Sequence, residues 1–193
     1  IKEIKDLNYS DNLVYAGGCA LNSLANKKLH ESNFFKNIFI PYAPGDGGGS
    51  IGAALVVSKN KNKNIKFSNL QSPFIGPKFT DVDIEDVIKK NKNLSQFSVD
   101  FFPDKNILYK KIAKLISENK IIGFFNNKME FGARALGNRS ILANPCDLKI
   151  QDIINSKIKK REMFRPFAPA ILYEKKSEWF NSSYPNPYMS SVE

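Results

Sequence analysis

The residues that could do chemistry are concentrated at positions 128–145, in the sequence KMEFGARALGNRSILANP. Lys128, Arg134 and Arg139 are cations there, and Ser140 adds a hydroxyl directly after the second arginine. Glycine and asparagine weaken helix interiors, so their scatter in this stretch predicts a loop with short turns. An arginine guanidinium presents a planar fork of donors that suits phosphate or carboxylate oxygens. The pattern therefore indicates an anion-binding loop.

A second group of cations follows about one helix length downstream, in NSKIKKREMFRPFAP. Lys159, Arg161 and Arg165 stand there beside the aromatic residues Phe164 and Phe167. Solvated surface charge is the ordinary explanation for a lysine-rich run. A cation near apolar residues needs a partner, however, because unpaired burial of charge is costly. The two groups together favour one pocket for a polyanionic ligand.

Two glycine-rich turns lie upstream of these cations. Gly17 and Gly18 separate a predicted strand from a predicted helix, a geometry that presents backbone N–H groups to an anion or a nucleotide. Close helix packing explains a glycine pair equally well. Asp46, in PGDGGGS, could hold a metal or contact a ribose, and it could equally cap the helix that follows.

Hydrophobic periodicity predicts the elements that must position these residues. Strands are predicted at residues 13–16, 37–42, 120–125 and 167–173, and helices at 19–29, 51–57, 83–91, 110–119 and 147–160. A capping signal at Thr80 to Asp83 precedes the third helix, and the polar residues 60–73 are predicted to form a linker. Two successive strand–glycine turn–helix units indicate α/β architecture with a crevice at the turns.

Composition limits the class of protein. The chain has 193 residues, 42% hydrophobic and 12% aromatic, which suits one large or two small domains. The formal charge of +10 is compatible with nucleic acid, an acidic membrane surface or phosphorylated small molecules as partners.

Single residues and segments add further expectations. Cys19 and Cys146 do not have metal-site spacing, so we expect a reduced, cytoplasmic chain. No apolar run is long enough to predict a membrane span. His30 is expected at the surface or at a helix end. A start without Met, close to a predicted strand, indicates a piece of a longer chain.

Three blocks of this sequence, taken together, resemble the C-terminal portion of the O-carbamoyltransferases that modify antibiotics and nodulation factors. The blocks are GGCALNSLANKKL with PYAPGDGGGSIGAAL, then FIGPKF, and finally KMEFGARALGNRSILANP with NSKIKKREMFRPFAPAIL. The resemblance implies an α/β fold with two modules. Residues 1–63 would be the C-terminal remnant of an actin/sugar-kinase-like ATPase lobe. Residues 64–193 would be a YrdC-like α/β domain with a twisted mixed sheet, truncated at its end.

The resemblance also implies an activity. Members of that family form carbamoyl-AMP from carbamoyl phosphate and ATP with release of pyrophosphate, and then transfer the carbamoyl group to a hydroxyl of a small-molecule or sugar acceptor. ATP and carbamoyl phosphate would be the substrates, with Mg²⁺ accompanying ATP. An iron-type metal would lie in the other domain of the complete protein. Small molecules and the missing N-terminal part of the same protein would be the partners, with no membrane and no nucleic acid.

The family pattern assigns roles to positions of this chain. The catalytic group would be Arg134, Arg139, Lys159 and Arg161. The substrate- and nucleotide-binding group would be Lys128, Ser140, Arg165, Gly17, Gly18 and Asn22. Asp46 would be a metal ligand.

The sequence departs from the family pattern at three places. Ala133 stands where the family has proline, and Asn127-Lys128 replaces a glycine-arginine pair, which loses the bidentate geometry of arginine. The histidines that complete the family's metal site are absent from this chain, so we expect no complete carbamoyl transfer by it alone. The alternatives are a basic nucleotide- or RNA-binding module without catalytic turnover, and a degenerate domain kept for assembly. Aromatic residues do not alternate with the cations as stacking platforms for RNA would.

Overall fold

The structure is a computed structural model that describes residues 1–67, 72–181 and 184–192, including all of their side chains except those of residues 92 and 95. The chain divides into two compact units. Unit 1 consists of Ile1–Ile75, Glu130–Leu136 and Ala170–Glu193, and unit 2 consists of Gly76–Met129 and Gly137–Pro169. The chain therefore passes from unit 2 to unit 1 and back within the predicted anion-binding loop.

The described part of the chain contains seven α-helices and four short strands. In chain order they are α1 (Lys2–Asp6), β1 (Asn12–Val14), α2 (Ser23–Glu31), β2 (Asn37–Phe39), α3 (Asp46–Lys61), α4 (Asp81–Lys90), α5 (Lys105–Ser117), β3 (Ile122–Phe125), β4 (Arg139–Leu142), α6 (Ile150–Ile153) and α7 (Lys176–Trp179). Single turns of 3₁₀-helix lie at Gly18–Leu21, Lys92–Gln96 and Tyr173–Lys175, and a π-helical turn lies at Ile154–Lys159.

Unit 1 is built on a parallel pair of strands. β1 and β2 align Asn12 with Asn37 and Val14 with Phe39, and a 3₁₀ turn and α2 connect them. Its buried apolar side chains are Ala20, Leu29, Phe35, Ile40, Tyr42 and Ala43. Asn26 of α2 is fully buried, and its Nδ2 donates to the carbonyl oxygens of Ala20 at 2.8 Å and of Ser190 at 2.6 Å. This amide therefore ties the end of the described chain to the first half of the unit.

Unit 2 is built on an antiparallel pair of strands. β3 and β4 align Ile122 with Leu142 and Phe125 with Arg139, so β4 begins directly at one of the predicted site residues. The loop predicted at 128–145 is therefore wrong at Arg139–Leu142, because these residues pair with β3. Helix α4 begins with a reciprocal capping box: Thr80 Oγ1 accepts a hydrogen bond from the N–H of Asp83, and Asp83 Oδ2 accepts one from the N–H of Thr80 at 2.8 Å. This cap confirms the signal at Thr80 to Asp83.

The mixed α/β class predicted from the sequence is confirmed, with two-stranded sheets in both units. The helix predicted at 19–29 is divided, because the Asn22 side chain accepts from the N–H of Ala25 at 3.1 Å and caps a new helix there. The strand predicted at 167–173 is wrong: residues 166–172 are neither helix nor strand, and a 3₁₀ turn follows. Pro169, within the predicted strand, lacks the N–H group that a residue donates in a sheet. Residues 68–71 of the predicted linker lie outside the described residues.

The remaining single-residue predictions concern His30 and the cysteines. His30 lies in the last turn of α2, where its ring stacks on Tyr184 with centroids 3.9 Å apart, which confirms a helix-end position. Cys19 and Cys146 are both free thiols on the surface. No described helix combines the length and the apolar character needed to cross a membrane.

Candidate functional site

The first predicted site region is the turn between β1 and α2 in unit 1. Gly17 has a φ of +99°, a backbone conformation that favours glycine, and its N–H donates to the carbonyl of Pro44 at 2.6 Å. Gly18 then opens the 3₁₀ turn, and Asn22 closes it as the N-cap of α2. The structure thus brings the three predicted nucleotide-contacting residues into one turn. The Asn22 side-chain oxygen already accepts the capping hydrogen bond from Ala25.

Asp46, the predicted metal ligand, is the exposed first residue of α3. Gly45 occupies the N-cap position, so Asp46 does not cap the helix with its side chain, although a carboxylate in the first turn interacts favourably with the helix dipole. Within the described residues, no cluster of three or more His, Cys, Asp or Glu side chains could hold a metal ion. A metal at Asp46 would take its other ligands from outside this part of the chain.

The middle of the predicted anion-binding loop belongs to unit 1. The N–H of Phe131 donates to the carbonyl of Pro73 at 2.7 Å, and the Leu136 N–H donates to Oε1 of the buried Glu130 at 2.7 Å. Gly132 has a φ of +118°, and a Cβ atom there would stand 2.6 Å from the carbonyl oxygen of Tyr42. The loop therefore lies so close to Tyr42 that only glycine fits at position 132.

Arg134 lies beside the turn that contains the predicted nucleotide-contacting residues. Its Nη2 donates to the carbonyl oxygen of Leu21 at 3.2 Å, and it lines a narrow crevice together with Tyr42 and Tyr188. The two tyrosine rings meet edge to face with centroids 5.7 Å apart, and burial, followed by the neighbouring Tyr42, raises the pKa of Tyr188. The sequence analysis predicts that Arg134 and Arg139 belong to one catalytic group. In the structure Arg134 belongs to unit 1 and Arg139 to unit 2.

The two ends of the same loop belong to unit 2 and are joined by Asn138. Its Nδ2 donates to the carbonyl of Lys128 at 2.8 Å, and its own carbonyl accepts from the N–H of Asn126 at 2.9 Å. Arg139 is exposed at the start of β4, and the Ser140 hydroxyl accepts from the N–H of Gly137 at 3.1 Å. Sequence reasoning missed Asn138. Its position between Gly137 and Arg139 could have indicated this role, because asparagine side chains in turns often form hydrogen bonds with nearby backbone groups.

The second cationic segment lies at the end of the π-helical turn of unit 2. Lys159 is the exposed last residue of that turn, and Lys160 adopts a left-handed conformation with φ of +47°. Arg161 is half-buried, and its Nε donates to Oδ1 of Asn155 at 2.7 Å. Arg161 thus has a fixed protein partner on one side of the guanidinium.

Arg165 has a carboxylate partner. Its Nε lies 2.8 Å from Oε2 of Glu162. A hydrogen bond from the backbone N–H of Glu162 itself, and then the charge of Arg165, hold the pKa of the Glu162 carboxyl below its ordinary value. An anionic ligand at Arg165 would therefore compete with an ionised Glu162.

Unit 2 thus contains six of the predicted site residues, in two locally ordered segments. They are Lys128, Arg139, Ser140, Lys159, Arg161 and Arg165. Cations and a hydroxyl can bind and neutralise an anion, and they suit chemistry in which positioning and charge stabilisation do most of the catalysis.

Comparison with known proteins identifies the family. Residues 2–55 match the family model described as the carbamoyltransferase N-terminus, and residues 113–193 match the one described as the carbamoyltransferase C-terminus. The chain belongs to the carbamoyltransferase family. The resemblance read from its sequence blocks is thereby confirmed.

Individual relatives of this carbamoyltransferase chain come from several organisms. An uncharacterized protein of Synechocystis is 42% identical over 94% of this chain and 30% of its own length. Nodulation protein NolO of Bradyrhizobium diazoefficiens is 38% identical over 87% of this chain and 30% of its own length. Nodulation protein U of Rhizobium fredii is 32% identical over 92% of this chain and 28% of its own length. The chain therefore spans under a third of the length of these relatives.

Proposed function

We propose that this chain is the part of a carbamoyltransferase that binds carbamoyl phosphate and ATP and forms carbamoyl-AMP. The carbamoyl group would then pass to a hydroxyl of a small-molecule or sugar acceptor, with the participation of the rest of a longer protein. The observation that carries the proposal is that Asn155 holds the guanidinium of Arg161, which lies two residues after Lys159 in unit 2 and within the segment that matches the carbamoyltransferase C-terminus.

The proposed chemistry needs cations more than it needs a proton-transfer residue. Carbamoyl phosphate and the triphosphate of ATP are both dense anions, so bringing them together costs electrostatic free energy unless charge is neutralised. Arg139, Lys159 and Arg161 would supply that neutralisation, and Ser140 would donate its hydroxyl hydrogen to a phosphate or carbamoyl oxygen. Water would cleave the bond between the carbamoyl and phosphoryl groups to give carbamate and inorganic phosphate. A carbamate oxygen would then bond to the α-phosphorus of ATP, while the α–β phosphoanhydride bond breaks and pyrophosphate leaves. Mg²⁺ bound to ATP would offset part of the triphosphate charge.

We also propose two family domains along the chain, with bounds that differ from those of units 1 and 2. Residues 1–63 would be the remnant of an actin/sugar-kinase-like ATPase lobe, and the turn containing Gly17, Gly18 and Asn22 would contact the adenosine part of the intermediate. Residues 64–193 would be the YrdC-like domain in which carbamoyl-AMP forms. The parallel β1–β2 pair with its glycine turn supports the first assignment, and the cationic segments support the second.

Calorimetric titration with ATP, in the presence and absence of carbamoyl phosphate, tests the proposal. We expect saturable binding that Arg139→Ala and Lys159→Ala each weaken by about tenfold or more, because each removes a charged hydrogen-bond donor. Lys110→Ala is the matched control: it removes an exposed cation from α5 of the same unit, so the affinity should stay within about twofold of wild type. A pyrophosphate-release assay then tests for adenylate formation.

Two results would contradict the proposal. If both site variants bound ATP and carbamoyl phosphate as tightly as the wild type, Arg139 and Lys159 would not be ligand-binding residues. Tight RNA binding with no affinity for either small molecule would favour the nucleic-acid-binding alternative.

A further inference from the structure

One buried side-chain amide organises the end of the π-helical turn in unit 2. Asn155 has 0% of its surface exposed, and its Nδ2 donates to the carbonyl oxygens of Met163 at 3.1 Å and of Arg165 at 3.0 Å. Its backbone carbonyl accepts from the N–H of Arg161 at 3.1 Å. Asn155 therefore fixes both ends of the loop that runs from Arg161 to Arg165. Because unsatisfied buried amides are costly, these bonds favour a single loop conformation.

The same amide contacts the guanidinium of Arg161. Asn155 Oδ1 accepts from Arg161 Nε at 2.7 Å, while the guanidinium carbon lies 4.7 Å from the centroid of the Phe167 ring. A third contact places Arg161 Nη2 at 3.4 Å from the carbonyl oxygen of Pro166. A guanidinium is planar and rigid, so fixing Nε and one face fixes the direction in which the terminal nitrogens point.

We propose that Asn155 is a positioning residue, which holds the Arg161 guanidinium in the orientation that meets an anionic oxygen of the substrate. A long side chain loses rotamer freedom when it binds a ligand, and an arginine that is already held loses less. The identity of the anion rests on the proposed function. The orientation of Arg161 by Asn155 rests only on the contacts within unit 2.

Gln151 provides a matched control within the same unit. It lies four residues before Asn155, and its Nε2 donates to the same two carbonyl oxygens, of Met163 at 3.1 Å and of Arg165 at 3.3 Å. The hydrogen bonds of Gln151 hold the loop and do not involve Arg161. Gln151→Ala therefore removes loop contacts while it leaves the Arg161 guanidinium with its partner, whereas Asn155→Ala removes both.

The first measurement is hydrogen exchange at the Arg161 Nε–H by ¹⁵N NMR, without any ligand. We expect this hydrogen to be protected in the wild type and in Gln151→Ala, and to exchange at least about tenfold faster in Asn155→Ala. Asn155→Asp keeps an oxygen acceptor for Arg161 and loses the donor to the loop carbonyls, so it should retain the protection. If Asn155→Ala does not fold, the hydrogen exchange of Asn155→Asp still tests the inference. Protection that is unchanged in Asn155→Ala, or lost in a folded Asn155→Asp, would overturn the inference.

The second measurement is a double-mutant cycle on the affinity for carbamoyl phosphate. Asn155→Ala alone should weaken binding by about tenfold, because Arg161 is no longer held. In an Arg161→Ala background the same change should alter affinity by less than about twofold. If the loss of affinity in the double variant equals the product of the losses in the two single variants, Asn155 does not act through Arg161. A wild-type chain that binds neither carbamoyl phosphate nor ATP would contradict the proposed function, while the exchange of the Arg161 Nε–H would still decide the role of Asn155.

Discussion

Gly132 combines two constraints on a single residue. Its φ of +118° is strained for any side chain, and an added Cβ would approach the Tyr42 carbonyl oxygen to 2.6 Å. We expect Gly132→Ala to lower the free energy of unfolding of the chain by about 1–3 kcal/mol, the usual cost of a non-glycine residue in a sparsely populated conformation, or more where the backbone cannot shift. Urea denaturation followed by circular dichroism measures the change.

Gly52→Ala is the control for that substitution. Gly52 lies in the interior of α3, and a Cβ there would meet no atom within 4 Å. This substitution should stabilise the helix by about 0.5–1 kcal/mol, because alanine has less backbone freedom to lose than glycine. Equal effects of the two substitutions would contradict the close approach of the loop to Tyr42.

Among the elements, α4 depends most visibly on its N-terminal cap. Thr80 Oγ1 accepts from the Asp83 N–H at 3.2 Å, and the side chains of α4 are exposed except for the half-buried Ile88, so burial stabilises this helix little. We expect Thr80→Ala to destabilise the helix by about 1 kcal/mol. Thr80→Ser keeps the hydroxyl and should cost only a fraction of that. Backbone hydrogen exchange of residues 81–90 measures both, and equal protection in all three proteins would exclude a role for the cap.

The same cap predicts a pH dependence. Hydrogen bonds from the Thr80 hydroxyl and then from the Thr80 N–H hold the pKa of Asp83 below its ordinary value of 3.8. The ionised carboxylate therefore stabilises the folded state at pH above 3.8, and this contribution is lost as the pH falls below 3.8 through the folded-state pKa. Asp83→Asn should be less stable than the wild type near neutral pH, and the difference should shrink in acid. A difference that stays constant down to pH of about 2 would contradict this assignment.

Periodicity and cap chemistry predicted most of the elements. The apolar spacing of residues 110–119 and the signal at Thr80 both correspond to real helices, α5 and α4. The π-helical turn could not be predicted, because its apolar spacing at Ile153, Ile154 and Ile158 is also compatible with an ordinary helix. For the candidate site, the sequence alone identifies which residues are cations, and their role in binding stays a prediction. The bond of Asn138 to the Lys128 carbonyl and the bond of Asn155 to the Arg161 side chain depend on contacts that spacing does not reveal.

The whole molecule has a formal charge of +10, so its response to salt distinguishes specific from general binding. ATP held by a few oriented cations should lose less than about fivefold in affinity between roughly 50 and 200 mM NaCl. A single-stranded RNA attracted by net charge should lose more than about tenfold over the same range, because each neutralised phosphate releases counterions. Calorimetry and fluorescence anisotropy measure the two dependences. A steeper salt dependence for ATP than for RNA would argue against an oriented anion site.

The segment Glu130–Leu136 has a consequence for recombination between carbamoyltransferase genes. Unit 1 is assembled from three stretches of the chain, and unit 2 from the two stretches between them. A single crossover therefore cannot exchange either unit as an intact piece: replacing residues 1–75 would leave Tyr42 of one parent against Gly132 of the other. The residues that meet at such contacts must therefore come from the same parent or be compatible. We expect a functional recombinant to exchange Ile1–Ile75 together with Glu130–Leu136 and Ala170–Glu193, or to exchange the whole region at once.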